Sequence, residues 1–543
     1  MLVKLLTRAF KRKPAVNALS KQIEQRVYRS GDLNRIYVTA FLKDNLALLK
    51  NILGQSQDVI FRSFRLGQAE QAEAAIVYIE GMVDINVLNN NIIRPLMTEL
   101  CHPGGKHAAG ESFRELLTSS ILTVSNVHDT RVMHDVVAGI LYGDVILLIN
   151  GLEQAWVIDL KKWNMRYVTE PSAEVVVRGP REGFTETLRT NTTLVRRKLR
   201  SPNLNFDFLN IGRVTATEVS IAYIKGIASP DLIAEVKNRL QRIDTDGVLE
   251  SGYLEEFIED DPYSPFPQVL NTERPDKVVA SLLEGRVAIL TDGTPFALIV
   301  PVQLTAFMTS PEDYYERYFI GTAILWVRYI AMVTSLLLPS LYIAVITFHQ
   351  EMIPARLLIS ITSYHQGVPF TALVETLLLE FVFEVMREAS VRLPRQVGQT
   401  VTIAGALVIG QSAVMAGLVS PLIVILVATT GLASFTNPSY NFGISMRLLR
   451  FPLMLLAGTL GLVGVIFGVL MITIHLSGLR SFGLPYLSAL APLHTGDLKD
   501  VLVRSPWWAM NYRPVDIVRR NRRRQAVGLK PVQVGASRRK EGR

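Results

Sequence analysis

Cysteine is nearly absent: Cys101 is the one thiol in 543 residues, which excludes an internal disulfide framework and any cysteine-rich zinc site. Charge is scarce too, at 19% of residues against 49% hydrophobic, with a mean hydropathy of +0.26. So apolar an average is unusual for a soluble enzyme, and the length exceeds one compact domain, so a membrane portion is expected. Enzyme signatures are missing: there is no HExxH pair, nucleophile elbow or kinase set. Gly104-Gly105-Lys106-His107 lacks the Ser/Thr and the glycine spacing of a phosphate loop. Cys101, His102 and His107 read as a polar loop, so neither metal nor cofactor is expected. Lys and Arg number 57 against 48 Asp and Glu, but residues 504–543 alone hold ten Arg and two Lys against Asp516 and Glu541. The body is therefore near neutral, which excludes a nucleic-acid-binding one.

What is present divides the chain. A basic lead-in over 1–29 carries five basic residues in its first 13 but too short an apolar run for a secretory signal. Charge is spread evenly to about residue 317 and then nearly vanishes: 20 residues from Tyr329 to Phe348, 51 from Gln396 to Met446 and 29 from Phe451 to Leu479 carry none. A helix needs about 20 apolar residues to cross the hydrocarbon core. Five apolar blocks are visible, at 318–348, 368–389, 400–418, 420–435 and 449–476. The expected order is two soluble subdomains at 30–171 and 172–312, a helical membrane domain at 313–495, and a basic tail at 496–543. Arg387, Arg392 and Arg395 and the tail arginines (Arg519, Arg520, Arg538 and Arg539 among them) place their ends on the cytoplasmic side. With the N-terminal region there too, the crossings must be even in number. Either one block is then re-entrant or interfacial, or a weak sixth element such as Ser481–Leu493 returns the chain.

The soluble half contains a repeat. Tyr78-Ile79-Glu80-Gly81-Met82 is echoed by Tyr223-Ile224-Lys225-Gly226-Ile227, and Leu141-Tyr142-Gly143-Asp144-Val145 by Leu283-Glu284-Gly285-Arg286-Val287. Matching order and spacing predict two related α/β subdomains. In each, a strand (Val145–Ile149, Val287–Thr291) runs into a tight turn, Asn150-Gly151 or Asp292-Gly293. The hairpins returning from those turns imply a mixed sheet. Between a strand at Ala173–Val177 and a helix through Arg196-Arg197-Lys198 lies the loop Arg178-Gly179-Pro180-Arg181-Glu182-Gly183-Phe184. Its arginines and glycines suit an anion cradle or a subunit interface, with Arg178, Arg181, Gly183, Arg196 and Arg197 as candidates, or a plain solvated turn. The Pro265–Asp276 strap leads to a helix opened by Pro275 and is expected to tie the subdomains together.

The most informative membrane block holds Glu375, Glu380, Glu384 and Glu388. On a helix the last three share a stripe, and Glu375 lies about 140° away. Carboxylates at membrane depth must pair or face water. Either they pair with Arg387 or with an arginine of a neighbouring helix, or they line an aqueous path between subunits that favours cations. In the second case Pro369 breaks the helix start, and Val368 with Phe370 forms an apolar constriction. Arg328 is read as snorkelling to the cytoplasmic face. His349, His365 and His475 are read as packed or interfacial. Gly405, Gly410, Gly458, Gly461, Gly464 and Gly468 suit close helix contacts.

Seven strings, EVVVRGPREGFTE (174–186), PFPQVLNTERPD (265–276), LLPSLYIAV (337–345), GVPFTALVE (367–375), REASVRLPRQVGQ (387–399), ALVIGQSAV (406–414) and HLSGLRSFGLPY (475–486), resemble the A subunits of GerA-type spore germinant receptors. The resemblance runs from about residue 30 to 515. It implies an integral protein of the spore inner membrane, with the N-terminal domain and C-terminal tail toward the core. It implies as partners a transporter-like B subunit, the main nutrient binder, and a lipoprotein C subunit. It also implies a homo-oligomer that forms a nutrient-gated cation channel, with Val368, Pro369, Phe370, Glu375, Glu380 and Glu384 as pore or gate candidates. A non-conducting scaffold or signal-transducing subunit, and a sporulation-stage paralogue of the same architecture, are the alternatives.

Overall fold

In the computed structural model, residues 33–66, 73–98, 127–162, 170–171, 174–365, 367–392, 410–494, 496–518 and 521–531 are described. The lead-in, Cys101, the 102–107 loop, Arg395, Gly405, residues 400–409 of the third apolar block, and Arg519, Arg520, Arg538 and Arg539 lie outside them.

Two units of the same plan follow one another. In the first, helix α1 (Leu42–Leu53) precedes β1 (Val59–Arg65), β2 (Glu73–Ile79), β3 (Val127–Thr130), α2 (Met133–Tyr142), β4 (Val145–Ile149) and β5 (Ala155–Ile158), with strand order β1-β2-β4-β5-β3. In the second, α3 (Leu188–Lys198) precedes β6 (Leu204–Ile211), β7 (Thr217–Ile224), α4 (Pro230–Gln241), α5 (Ser251–Ile258), β8 (Leu270–Thr272), α6 (Pro275–Leu283), β9 (Val287–Thr291) and β10 (Ala297–Val300), in the order β6-β7-β9-β10-β8. The repeated topology is the one the echoed strings predict. Every ladder in both sheets is antiparallel, so the described strands contain no parallel pair of the kind a mixed sheet requires. The predicted strand at Ala173–Val177 is also replaced by irregular chain over 174–177. Arg274 takes its backbone, with Nη1 donating to the Glu174 carbonyl at 3.1 Å.

The turn dipeptides do more than reverse the chain. Gly151 and Gly293 adopt φ of +95° and +88°, as the tight turns demand. The preceding side chains reach across to cap a helix: Asn150 Oδ1 accepts from the N–H of Leu42 at 3.2 Å, and Asp292 Oδ1 from that of Leu188 at 2.9 Å. Each cap satisfies a helix-end donor that would otherwise lack a partner. One pairing thus locks turn to helix in both units.

Six described helices from residue 318 on form a bundle: α7 (Tyr318–Phe348), α8 (Ala355–His365), α9 (Ala372–Arg392), α10 (Pro421–Phe435), α11 (Tyr440–Leu460) and α12 (Leu462–Gly478). Among the described helices, α7 and α11 are long and apolar enough to cross a membrane. The block expected at 449–476 is not one span. Gly461, at φ +62°, turns the chain so that α12 packs back along α11. A Cβ on Gly464 would overlap the Leu456 carbonyl oxygen, and one on Gly468 would overlap Leu453. Gly464→Leu should therefore open the hairpin at a cost of roughly 1–3 kcal/mol or more. The check is a lower unfolding midpoint in detergent; an unaltered midpoint would refute the packing.

Direction along the bundle follows from contacts at each end. At the soluble side, Phe442 at the start of α11 stacks on Phe307 at 5.7 Å, and His475 near the end of α12 stacks on Phe266 at 6.0 Å. The Pro265–Asp276 strap thus fastens the second unit to the bundle; Ser264 Oγ lies 2.8 Å from His475 Nε2, and Ser445 Oγ donates to the Pro265 carbonyl. At the far side, Gly461 abuts Phe348 and His349, and Gly458 abuts Leu373 at the start of α9. Helices α7 and α11 therefore run outward, and α9, α10 and α12 run back. Residues 480–485 form a short β-hairpin, so Ser481–Leu493 is no sixth helix. Arg328 does not snorkel: its Nη1 bonds Asp313 at 2.5 Å and the Met308 carbonyl at 3.1 Å.

Candidate functional site

Helix α9 starts at Ala372, past Pro369, and presents two faces. Val374, Leu378, Phe381 and Val385 point outward and are 45–63% exposed. Glu375 and Glu380 point into the bundle and are at most 2% exposed. Ionised groups so placed are costly unless paired and hydrogen-bonded, and the partners come from α10 and α11. Arg450 Nη1 bonds Glu380 Oε2 at 2.5 Å, and Thr430 Oγ1 donates to Glu380 Oε1 at 3.1 Å. About one turn on, Glu384 takes Arg387 at 2.6 Å and Arg447 at 3.4 Å. Arg387 also reaches the Tyr440 hydroxyl at 3.3 Å, and Glu388 pairs with Arg392 at 2.7 Å on the exposed end. The cluster Glu380, Glu384, Arg387, Arg447 and Arg450 thus carries two negative and three positive formal charges. Buried Nε and Nη2 of both Arg447 and Arg450 have no hydrogen-bond partner.

Glu375 belongs to a separate group at the far end. Its Oε1 accepts from the Ser420 N–H, its Oε2 lies 3.5 Å from His365 Nδ1, and His365 Nε2 lies 3.0 Å from the Tyr342 hydroxyl. Val368, half buried, and Pro369 and Phe370, both exposed, form the turn between α8 and α9 beside this group. The six pore or gate candidates therefore fall at two heights. Within the single chain Glu375 and Glu380 are buried and Glu384 is half-buried, and in this conformation guanidinium groups pair with Glu380 and Glu384, the first of the two arrangements open to the stripe.

The arginine-rich loop resolves differently. Arg196 is buried, and its Nε and Nη2 bond both oxygens of Asp58 in the first unit at 2.8 Å. Its Nη2 also reaches Ser56 Oγ at 2.7 Å. Arg178 lies 3.9 Å from Glu316, Arg181 3.7 Å from Glu170 and Arg197 3.5 Å from Glu182, and Gly183 is buried. The anions these cations meet are carboxylates of the same chain. Reasoning from sequence named none of Asp58, Tyr342, Thr430, Arg447 and Arg450, and read His365 only as packed or interfacial. A signal for two of them was present: Arg447 and Arg450 are the only Asp, Glu, Lys or Arg between residues 396 and 479.

The family profile described as Bacillus/Clostridium GerA spore germination protein matches residues 47–516. The chain belongs to the GerA family. The membrane protein YfkQ of Bacillus subtilis (strain 168) is 45% identical over 473 residues, 87% of this chain and 90% of that one. Spore germination protein KA of the same organism is 42% identical over 496 residues, covering 91% and 90%. A crystal structure of the N-terminal domain of the A subunit of the Bacillus megaterium spore germinant receptor GerK3 is 36% identical and covers 49% of this chain and 96% of that chain, with a TM-score of 0.39. GerA membership accounts for the soluble and helical halves as parts of one chain, since the profile spans both.

Proposed function

We propose that this chain is the A subunit of a nutrient germinant receptor in the spore inner membrane, and that copies of it assemble into a cation-conducting channel whose opening starts germination. It works with a transporter-like B subunit that binds nutrient and a lipoprotein C subunit, and its soluble units and basic tail face the spore core. The observation that carries this reading is the carboxylate and guanidinium cluster between α9 and α11, inside a bundle whose outer faces are apolar. No covalent chemistry is required of it. In the closed state the arginines cancel the carboxylates. Opening must free carboxylate charge toward a shared passage, with the 368–370 turn as the constriction. Nutrient shifts that equilibrium only if its complex with the partner favours the open state.

A second reading, a subunit that transmits the signal without conducting, is favoured by one fact: Glu380 and Glu384 are already paired within a single chain. Potassium-loaded liposomes carrying the three co-purified subunits separate the two. Conduction predicts nutrient-dependent efflux, and Val368→Ala should raise nutrient-free efflux severalfold by shortening the side chain at the constriction. Silence from receptors that bind nutrient would leave the transmitting role.

A further inference from the structure

Away from the bundle cluster, a cavity of about 330 Å³ opens where α6, residues 303–315 ahead of α7 and residues 489, 497–507, 514 and 524 converge. Its volume falls at the lower end of the roughly 300–1,000 Å³ typical of small-molecule sites. Tyr314, Tyr315 and Trp507 supply aromatic wall, and Val279, Leu283 and Val501 aliphatic wall. Among these surfaces sits Asp500. Its Oδ2 accepts from the Tyr314 hydroxyl at 2.8 Å, and its buried Oδ1 has no hydrogen-bond partner. Of the nearby cations, Lys277 pairs with Glu174 at 2.7 Å, and Arg286 donates to the Pro301 carbonyl at 2.8 Å and lies 3.5 Å from Glu284. Arg504 donates to the Ser505 and Tyr314 carbonyls, at 3.1 and 3.0 Å. Arg524 lies 5.2 Å from the Trp507 ring and 3.9 Å from Glu284.

We propose that this cavity binds a small primary amine with an apolar body, its ammonium donating to Asp500 Oδ1 and its body lying against Trp507 and Tyr314. A buried acceptor without a partner calls for a donor. Aromatic faces beside it favour a cation, and the wall holds Asp276, Glu284 and Asp497 besides Asp500 against Lys277, Arg286 and Arg524, each of which already meets an acceptor of this chain. Because the walls come from the second soluble unit, the entry to α7 and the C-terminal segment, an occupant holds all three together and resists their relative movement.

Burial, followed by the neighbouring Glu284, pushes the Asp500 carboxyl up to about 6, against the Tyr314 hydrogen bond and the positive charges of Arg504 and Arg524. The carboxylate is charged above that value, so amine affinity should be present at pH 7.5 and about tenfold weaker at pH 5. The test is equilibrium dialysis of the full chain in lipid nanodiscs against phenethylamine, 2-phenylethanol and phenylacetate, which share a ring and differ in charge. The expected result is saturable binding of one phenethylamine per chain, alcohol at least about tenfold weaker, no saturable phenylacetate, and loss of the amine preference in Asp500→Asn. Equal retention of amine and alcohol, or no saturable amine on the folded chain, overturns the proposal and leaves the cavity to water. Should Asp500→Asn fail to fold, the three ligands on the unaltered chain decide. Binding is read without flux, so failure of the channel reading leaves this result intact.

Discussion

Arg450→Met should all but abolish the folded protein. The substitution strands Glu380, at most 2% exposed, with only the Thr430 hydroxyl for company. Removing one member of a buried ion pair costs about 3–5 kcal/mol, a large part of the roughly 5–15 kcal/mol that holds a typical domain folded. Membrane abundance and the unfolding midpoint in detergent report it, and wild-type values for both would contradict the pairing. Glu380→Gln should be milder, because the amide oxygen can still accept from Arg450 while its NH2 donates to the Thr430 hydroxyl, although the arginine loses its counter-charge. The pair Arg450→Met with Glu380→Leu should recover abundance, since an apolar replacement of a buried ion pair is often neutral or stabilising. That rescued protein then separates function from folding. Altered nutrient-dependent efflux at normal abundance would assign the pair to gating, and unaltered efflux would leave it a bundle clamp.

Asp58→Ala should loosen the two soluble units from each other at a similar cost of about 3–5 kcal/mol. Arg196 then keeps only Ser56 Oγ and the Ser201 carbonyl at 3.3 Å. The effect should extend past the ion pair, because Ser56 Oγ also accepts the Phe206 N–H at 3.0 Å and Gln57 Oε1 the Phe208 N–H at 2.7 Å. Hydrogen exchange at those two amides should accelerate strongly in the full chain while amides in β9, which pairs inside the second sheet, keep their protection. Uniform protection across Phe206 and Phe208 would mean that the units are held by something other than this contact. Asp58→Leu with Arg196→Met should restore slow exchange if packing alone can replace the charges.

Both predictions rest on partners far apart in sequence, which is why reading the residues in order reached only half of each. The stripe of Glu380, Glu384 and Glu388 was legible from helical periodicity, and so was the need to pair it. Which arginine answers was not, although Arg447 and Arg450, three residues apart on a helix, present the complementary spacing. Arg196 was singled out as a cation near a glycine loop, yet its counter-ion lies 138 residues away in the other unit. The sequence also carried the expectation of an even number of apolar passes if both ends face the same side. Splitting the last block at Gly461 supplies another helix, a solution hidden because a glycine inside an apolar run reads equally as a packing contact and as a turn.

The repeat, the turn glycines, the helix opened by Pro275 and the division into a charged half and an apolar half were decided by the sequence alone. Each depends on neighbouring residues, and local backbone preference and hydropathy act over a few positions. The antiparallel ladders, the α11 and α12 hairpin, the Glu380 and Arg450 pair and the cavity around Asp500 were decided only by tertiary structure. A carboxylate buried in a low-dielectric interior requires a counter-charge, but any arginine the fold can bring within about 3 Å satisfies that requirement. Only the packed arrangement of helices selects which one does.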